Sequence, residues 1–200
     1  MAIQLATYRL WGELGATYEA SQVRIFLHGR TETTRSVSQA SAAFCSQMGL
    51  APSELDRVSR AEKVALLQSA IKSHVSYMSD GAKGKGVDRH LLGLSLSLDP
   101  TLEKSPDLFT DPLYQKAKTW RVSTSHLTHP KFTNWGFGQV VPHGVGIAYS
   151  VHKRGCIFNL TALKKWDWTE RLSELLEEAL LEMRDLHSDD GAPPQIISKL

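Results

Sequence analysis

Cysteine is scarce in this chain: Cys45 and Cys156 are the only two among 200 residues. Two distant thiols make neither a disulfide framework nor a metal site, so a reducing compartment is the expected setting. Both thiols are expected to be buried or half-buried. No apolar run reaches the roughly 18 residues that a helical membrane span requires. The segment after Met1 is amphipathic and does not read as a charged leader before an apolar core. An excess of one charge is missing too: 23 basic and 21 acidic residues leave a formal net charge of +2. With no block of five like charges and no basic stripe, nucleic-acid binding has little support. What is present is a hydrophobic content of 42%, enough for one globular domain or a large part of one.

Periodicity divides the chain into elements. Ile3, Ala6, Leu10 and Leu14 recur at helical spacing and predict a helix over residues 3–17. Val23, Ile25 and Leu27 alternate with Arg24, Phe26 and His28 as in a strand, and Gly29 marks the turn that follows. Ser59-Arg60-Ala61-Glu62 has the form of a capping box, with Val64, Leu67, Ile71, Val75 and Met78 behind it in a stripe that should end near Gly81. Gly81 to Gly86 reads as a loop that is either a solvated connection or a basic phosphate cradle without a Walker pattern. It delivers Asp88, Arg89 and His90 onto another apolar segment. Trp120 to Ser125 reads as a strand, and alternation on both sides of Gly155 predicts a β-hairpin. Leu172, Leu175, Leu176, Ala179, Met183 and Leu186 form the stripe of a covering helix. Mixed elements of this kind indicate an α/β or α+β layered arrangement.

Four short blocks carry chemistry. Tyr18-Glu19 precedes the Gly29-Arg30-Thr31-Glu32-Thr33 turn. Val87-Asp88-Arg89-His90-Leu91-Leu92-Gly93, Ser123-Thr124-Ser125 and Gly136-Phe137-Gly138-Gln139-Val140-Val141-Pro142 follow in order. With these blocks at these spacings the chain resembles the carnitine/choline acyltransferase family, in its carnitine-specific branch and nearest the carnitine acetyltransferases. The blocks match the final third of such an enzyme. The resemblance implies a chloramphenicol-acetyltransferase-like fold, in which two related α/β domains face each other across an active-site tunnel. Residues 1–190 would supply most of the C-terminal domain and 191–200 a flexible tail.

What the resemblance implies for function is reversible transfer of a short acyl group between CoA and carnitine in the complete enzyme. Acyl transfer to a hydroxyl needs a base, an oxyanion donor and a site that aligns both substrates. By position Ser125 matches the oxyanion donor. None of the eight histidines matches the family's catalytic His, which the resemblance places far upstream in the N-terminal half, and the lysines that meet the CoA phosphates would lie just upstream of these residues. Tyr18, Thr31 and Arg89 match residues that bind the carnitine carboxylate, for which Arg is the natural partner. Choline carries no carboxylate, so Thr31 and Arg89 point to carnitine. Phe137 would lie near the trimethylammonium, where an aromatic face contributes roughly 0.5 to 2 kcal/mol, and Val140 would shape the same wall. Glu19 and His126 match CoA-side positions. Trp135 matches the acyl-pocket position that is small in long-chain members, which implies an acetyl-type pocket.

Several positions depart from the family pattern. Ala20 stands where a Ser or Thr usually touches substrate, Val75 replaces an Arg associated with CoA, and His126 replaces a Gln. Gln139 and His143 replace the common Pro and Asp. The expected ligands are carnitine and acyl-CoA, with CoA or acetyl-CoA as cosubstrate and no bound cofactor or metal. Ser198-Lys199-Leu200, after Gly191-Ala192-Pro193-Pro194, is a tripeptide that a peroxisomal import receptor reads. Peroxisomal targeting is therefore expected, with a mitochondrial form as the other possibility. A non-catalytic remnant that keeps part of a carnitine-binding surface is the alternative reading.

Overall fold

In the computed structural model, residues 1–49, 58–99, 101 and 104–187 are described; Gly191 to Pro194 and the Ser198-Lys199-Leu200 tripeptide lie outside them. The elements run α1 (Ala2–Trp11), β1 (Thr17–Gln22), β2 (Thr31–Arg35), α2 (Gln39–Met48), α3 (Arg60–Ala82), α4 (Asp88–Leu96), α5 (Asp107–Thr110), α6 (Pro112–Ala117), β3 (Val122–His126), β4 (Val145–His152), β5 (Gly155–Thr161) and α7 (Thr169–His187). A 3-10 turn, Lys164–Trp166, precedes α7.

The strands form one five-stranded sheet in the order β2-β1-β3-β4-β5. Its centre is parallel, β1 with β3 and β3 with β4, while β2 and β5 pair antiparallel at the edges. Side chains alternate between the faces of a strand, and the register sorts them. Glu19, Val122, Thr124, His126, Val145, Ile147, Tyr149 and Leu160 share one face, whereas Tyr18, Thr31, Thr33, Arg35, Ser123, Ser125, Ala148 and Asn159 share the other.

The helices of the core cover the first face, while α4 and α6 reach the β2 edge of the second through Arg35, which bonds Asp88 and the Ala117 carbonyl. Leu5 and Ala6 of α1, Phe44 and Cys45 of α2, Leu67 and Ala70 of α3, and Leu172, Leu175 and Leu176 of α7 pack with Val122, Val145 and Ile147 into one core. The predicted covering helix is α7, and its Leu172, Leu175, Leu176 and Ala179 are buried as the stripe requires. The predicted hairpin is β4–β5. The capping box at Ser59 forms, with the Ser59 hydroxyl accepting from the Glu62 N–H and the Glu62 carboxylate accepting from the Ser59 N–H.

Three expectations are corrected. The first helix stops at Trp11, because Gly12 takes a left-handed φ of 70° and donates its N–H to the Tyr8 carbonyl, a glycine C-cap. The apolar alternation from Val23 to Leu27 is not a strand. It is a loop in which Phe26 N–H bonds Val23 O at 3.1 Å and Gly29 N–H bonds Phe26 O at 2.9 Å, leaving Ile25 and Leu27 73% and 90% exposed. The strands instead flank it, and their alternation is polar. Cys156 is exposed rather than half-buried, since it stands at the turn end of the β4–β5 hairpin opposite Val151, whereas Cys45 is buried.

Candidate functional site

The second sheet face holds most of the motif residues. Tyr18 lies beside Ser123 in the β1–β3 register, Ser125 lies two residues further along β3, and Ala148 of β4 is its neighbour. Tyr18 and Ser125 are half-buried. The Tyr18 ring tilts against Trp120 with centroids 5.8 Å apart. Thr31 starts β2 on this same face, and its hydroxyl reaches the carbonyls of Ser21 and Glu32 at 3.3 and 3.2 Å.

The long connection from β3 to β4 runs over this face and brings in the aromatic block. Its anchor is Asn159 of β5, whose Nδ2 donates to the Trp135 carbonyl and to Asn134 Oδ1. A second anchor is an absence of side chain. A Cβ on Gly146 would stand 2.8 Å from the Gly138 carbonyl oxygen and 3.0 Å from that of Phe137, so only glycine lets this segment lie against β4. Trp135 and Phe137 are half-buried with ring centroids 5.8 Å apart, and Val140 is exposed at 55%.

Arg89 enters at the β2 edge. Asp88 and Arg35 form a bidentate pair, Nε to Oδ2 at 2.8 Å and Nη2 to Oδ1 at 2.5 Å, and the Arg35 guanidinium also lies 5.0 Å over the Trp120 ring. The Arg89 N–H donates to Glu32 Oε1 at 3.2 Å, while the Arg89 side chain is exposed. The first turn of α4 is thus pinned to the strand that carries Thr31. Asp88, Arg35 and Glu32 were not singled out from sequence as site residues; their position beside Arg89 and Thr31 was the available signal.

Glu19 and His126 lie on the opposite, helix-covered face. Glu19 is buried at 7% exposure. Its Oε2 lies 2.5 Å from Thr124 Oγ1 and 3.2 Å from Tyr149 Oη, and its Oε1 accepts the His126 N–H at 3.2 Å. Burial pushes the Glu19 carboxyl up from its ordinary value, against the opposing pull of the Thr124, Tyr149 and His126 hydrogen bonds. Burial, with the Glu19 carboxyl beside it, also raises the Tyr149 phenol. His126, Tyr149 and Phe158 then form a row across three strands, with centroid spacings of 5.1 and 5.7 Å.

A cleft of about 580 Å³ opens over this cluster, lined by Glu19, Ser21, Thr31, His74, His126 and Tyr149. A smaller cavity of about 80 Å³ behind it is lined by Gln4, Glu19, Ser36, His74, Thr124 and Tyr149. Burial holds the His74 imidazole below its ordinary pKa. Tyr149 and His74 were missed as site residues because one sits in an apolar alternation and the other in a helical stripe. No group of three or more His, Cys, Asp or Glu side chains suited to a metal occurs among the described residues. No helix among them is long and apolar enough to cross a membrane.

Residues 1–178 match the model of the Choline/Carnitine o-acyltransferase family. The chain is 39% identical to the carnitine O-acetyltransferase of Homo sapiens over 188 residues, which is 93% of this chain and 29% of that protein. It is 37% identical to the mitochondrial carnitine O-acetyltransferase of Saccharomyces cerevisiae, covering 92% of this chain and 27% of the relative. Similarity to the choline O-acetyltransferase of Gallus gallus is 32% over 188 residues, 93% of this chain and 29% of that protein. The chain therefore spans under a third of the length of these relatives.

Proposed function

From the premise that this chain belongs to the choline/carnitine O-acyltransferase family, we propose that it supplies the carnitine and acyl-group side of a carnitine O-acetyltransferase. The observation that carries this reading is the placement of Tyr18, Thr31 and Ser125 together on the sheet face opposite the helical core. Trp135 and Phe137 are laid over that face by Asn159. Two such α/β halves facing each other across a tunnel, in a chloramphenicol-acetyltransferase-like fold, would bury this surface against the other half.

The chemistry follows from the residues. Carnitine's hydroxyl attacks the thioester carbonyl of acetyl-CoA, its proton goes to a histidine of the other half, and that proton then passes to the departing CoA thiolate. Ser125 donates to the oxyanion of the tetrahedral intermediate. Arg89 pairs with the carnitine carboxylate, helped by Tyr18 and Thr31, while Phe137 and Val140 meet the trimethylammonium. CoA runs along the cleft that Glu19 and His126 line. Trp135 closes the acyl pocket to long chains. The Ser198-Lys199-Leu200 tripeptide directs the enzyme to peroxisomes through the import receptor.

Steady-state kinetics of the complete protein carrying this chain test the reading. Ser125→Ala should lower kcat by about a hundredfold or more, the usual cost of one oxyanion donor. Arg89→Ala should instead raise KM for carnitine. Equal use of choline and carnitine, or efficient transfer from palmitoyl-CoA, would overturn the assigned specificity. Tight carnitine binding without any turnover would favour a non-catalytic remnant.

A further inference from the structure

We infer that Glu19 is a neutral carboxylic acid whose proton is donated to Thr124, and that in this form it is a positioning residue holding β3 in register around Ser125. Thr124 Oγ1 lies 2.7 Å from the Tyr18 carbonyl and 2.5 Å from Glu19 Oε2. A hydroxyl has one proton to give and lone pairs to receive. If Glu19 were ionised, both neighbours of Thr124 would be pure acceptors, and one short contact would have no hydrogen in it. With the proton on Oε2, every contact is satisfied. Glu19 donates to Thr124, Thr124 donates to the Tyr18 carbonyl, Tyr149 donates to Oε2, and Oε1 accepts the His126 N–H.

The surroundings agree. No Lys or Arg forms an ion pair with Glu19 among the described residues. The titratable and charged groups around it are Tyr149 from β4, His126 from β3 and His74 from α3, with Arg30, just before β2, lining the same cleft without an ion pair to Glu19. Burial opposes charge on His74, so it supplies no strong counter-ion. An unpaired carboxylate in such a site is costly, and neutralisation is the ordinary escape.

The consequence for Ser125 is positional. Glu19 holds Thr124 by its side chain and His126 by its backbone, the two residues that flank Ser125 in β3. Ser125 itself points to the opposite sheet face, so Glu19 governs where its backbone sits without touching substrate at that hydroxyl. The role of Ser125 rests on the transfer reading above; the proton on Glu19 does not.

Infrared difference spectroscopy on the complete protein at neutral pH decides the protonation. The spectrum of the wild type minus Glu19→Gln should contain the carbonyl stretch of a protonated carboxylic acid, shifted in heavy water. Carboxylate bands in its place would overturn the inference. Kinetics then test the positioning role. Glu19→Leu should lower kcat tenfold or more with a much smaller change in KM for carnitine. Glu19→Gln, whose amide can donate to Thr124 and accept from His126, should recover most of that loss. A Gln variant as impaired as the Leu variant would mean that charge is required and would overturn the role. Should the wild type itself lack transferase activity, the transfer reading fails, and the infrared result still decides the state of Glu19.

Discussion

Asp88 and Arg35 grip each other through two parallel hydrogen bonds, with their side chains 11% and 24% exposed, and so join the start of α4 to the end of β2. The pair does more than add one contact. The residue after Asp88 is Arg89, and β2 begins with Thr31, so the same bridge sets the distance between the two residues proposed to meet the carnitine carboxylate.

Asp88→Ala should therefore reduce stability and substrate binding together. Hydrogen bonds to charged groups contribute roughly 1.5 to 3 kcal/mol, and the Arg35 guanidinium would lose its best partner in a half-buried place. Urea denaturation should report a loss of about 2 kcal/mol, and KM for carnitine in the complete protein should rise more than kcat falls. A stable variant with unchanged KM would show that α4 is held by other contacts.

Gly146→Ala tests the packing of the aromatic segment on β4. The added Cβ would meet the backbone carbonyls of Gly138 and Phe137 at 2.8 and 3.0 Å, and backbone cannot rotate aside as a side chain can. Overpacking of this kind costs about 1 to 3 kcal/mol. The expected outcome is a lower thermal midpoint together with weaker carnitine binding, because Phe137 must lift from the sheet. Alanine accepted at no cost in stability would show that the segment is not fixed against β4.

Long periodic segments were legible in the sequence, and α3, α7 and the β4–β5 hairpin stand where the apolar spacing put them. The β1–β2 hairpin at the other edge was not, because its strands read Thr-Tyr-Glu-Ala-Ser-Gln and Thr-Glu-Thr-Thr-Arg. Their buried positions are polar, as with Glu19 and its hydrogen bonds to Thr124 and Tyr149, and a search for apolar alternation passes over them. It selected Val23 to Leu27 instead, whose apolar side chains are largely exposed. In the candidate site, motif blocks picked out Tyr18, Thr31, Arg89 and Ser125. The contacts that shape their surroundings, Asp88 with Arg35, Asn159 with Trp135 and Tyr149 with Glu19, act across 53, 24 and 130 positions of sequence, which no local pattern encodes.

The two thiols should separate cleanly in a labelling experiment. Cys156 is exposed on β5, whereas Cys45 is fully buried in the core and its burial pushes the thiol pKa up to about 11. Only the thiolate attacks disulfide reagents. One equivalent of aromatic disulfide reagent should react with the native chain near neutral pH, and Cys156→Ser should abolish that reaction. The second thiol should appear only on unfolding. Two fast equivalents in the native state would mean that α2 opens readily from the sheet.

The neutral Glu19 also has a thermodynamic signature. Its folded pKa lies above the ordinary value of 4.5, so the folded state binds the proton more tightly than the unfolded chain. Below pH 4.5 both states carry the proton, and the group's contribution is fully present. As pH rises from there, the unfolded chain releases its proton while the folded one keeps it, and stability falls by up to about 1.4 kcal/mol per pH unit until the folded pKa is passed. Glu19→Gln has no proton to release. In urea denaturation across this range, the stability of the Gln variant relative to wild type should therefore climb with pH and then level off. An ionised Glu19 held by its hydrogen bonds would have a lowered folded pKa, and the wild type would gain on the Gln variant as pH rises. The sign of that slope separates the two states of one carboxyl group, with no assay of activity required.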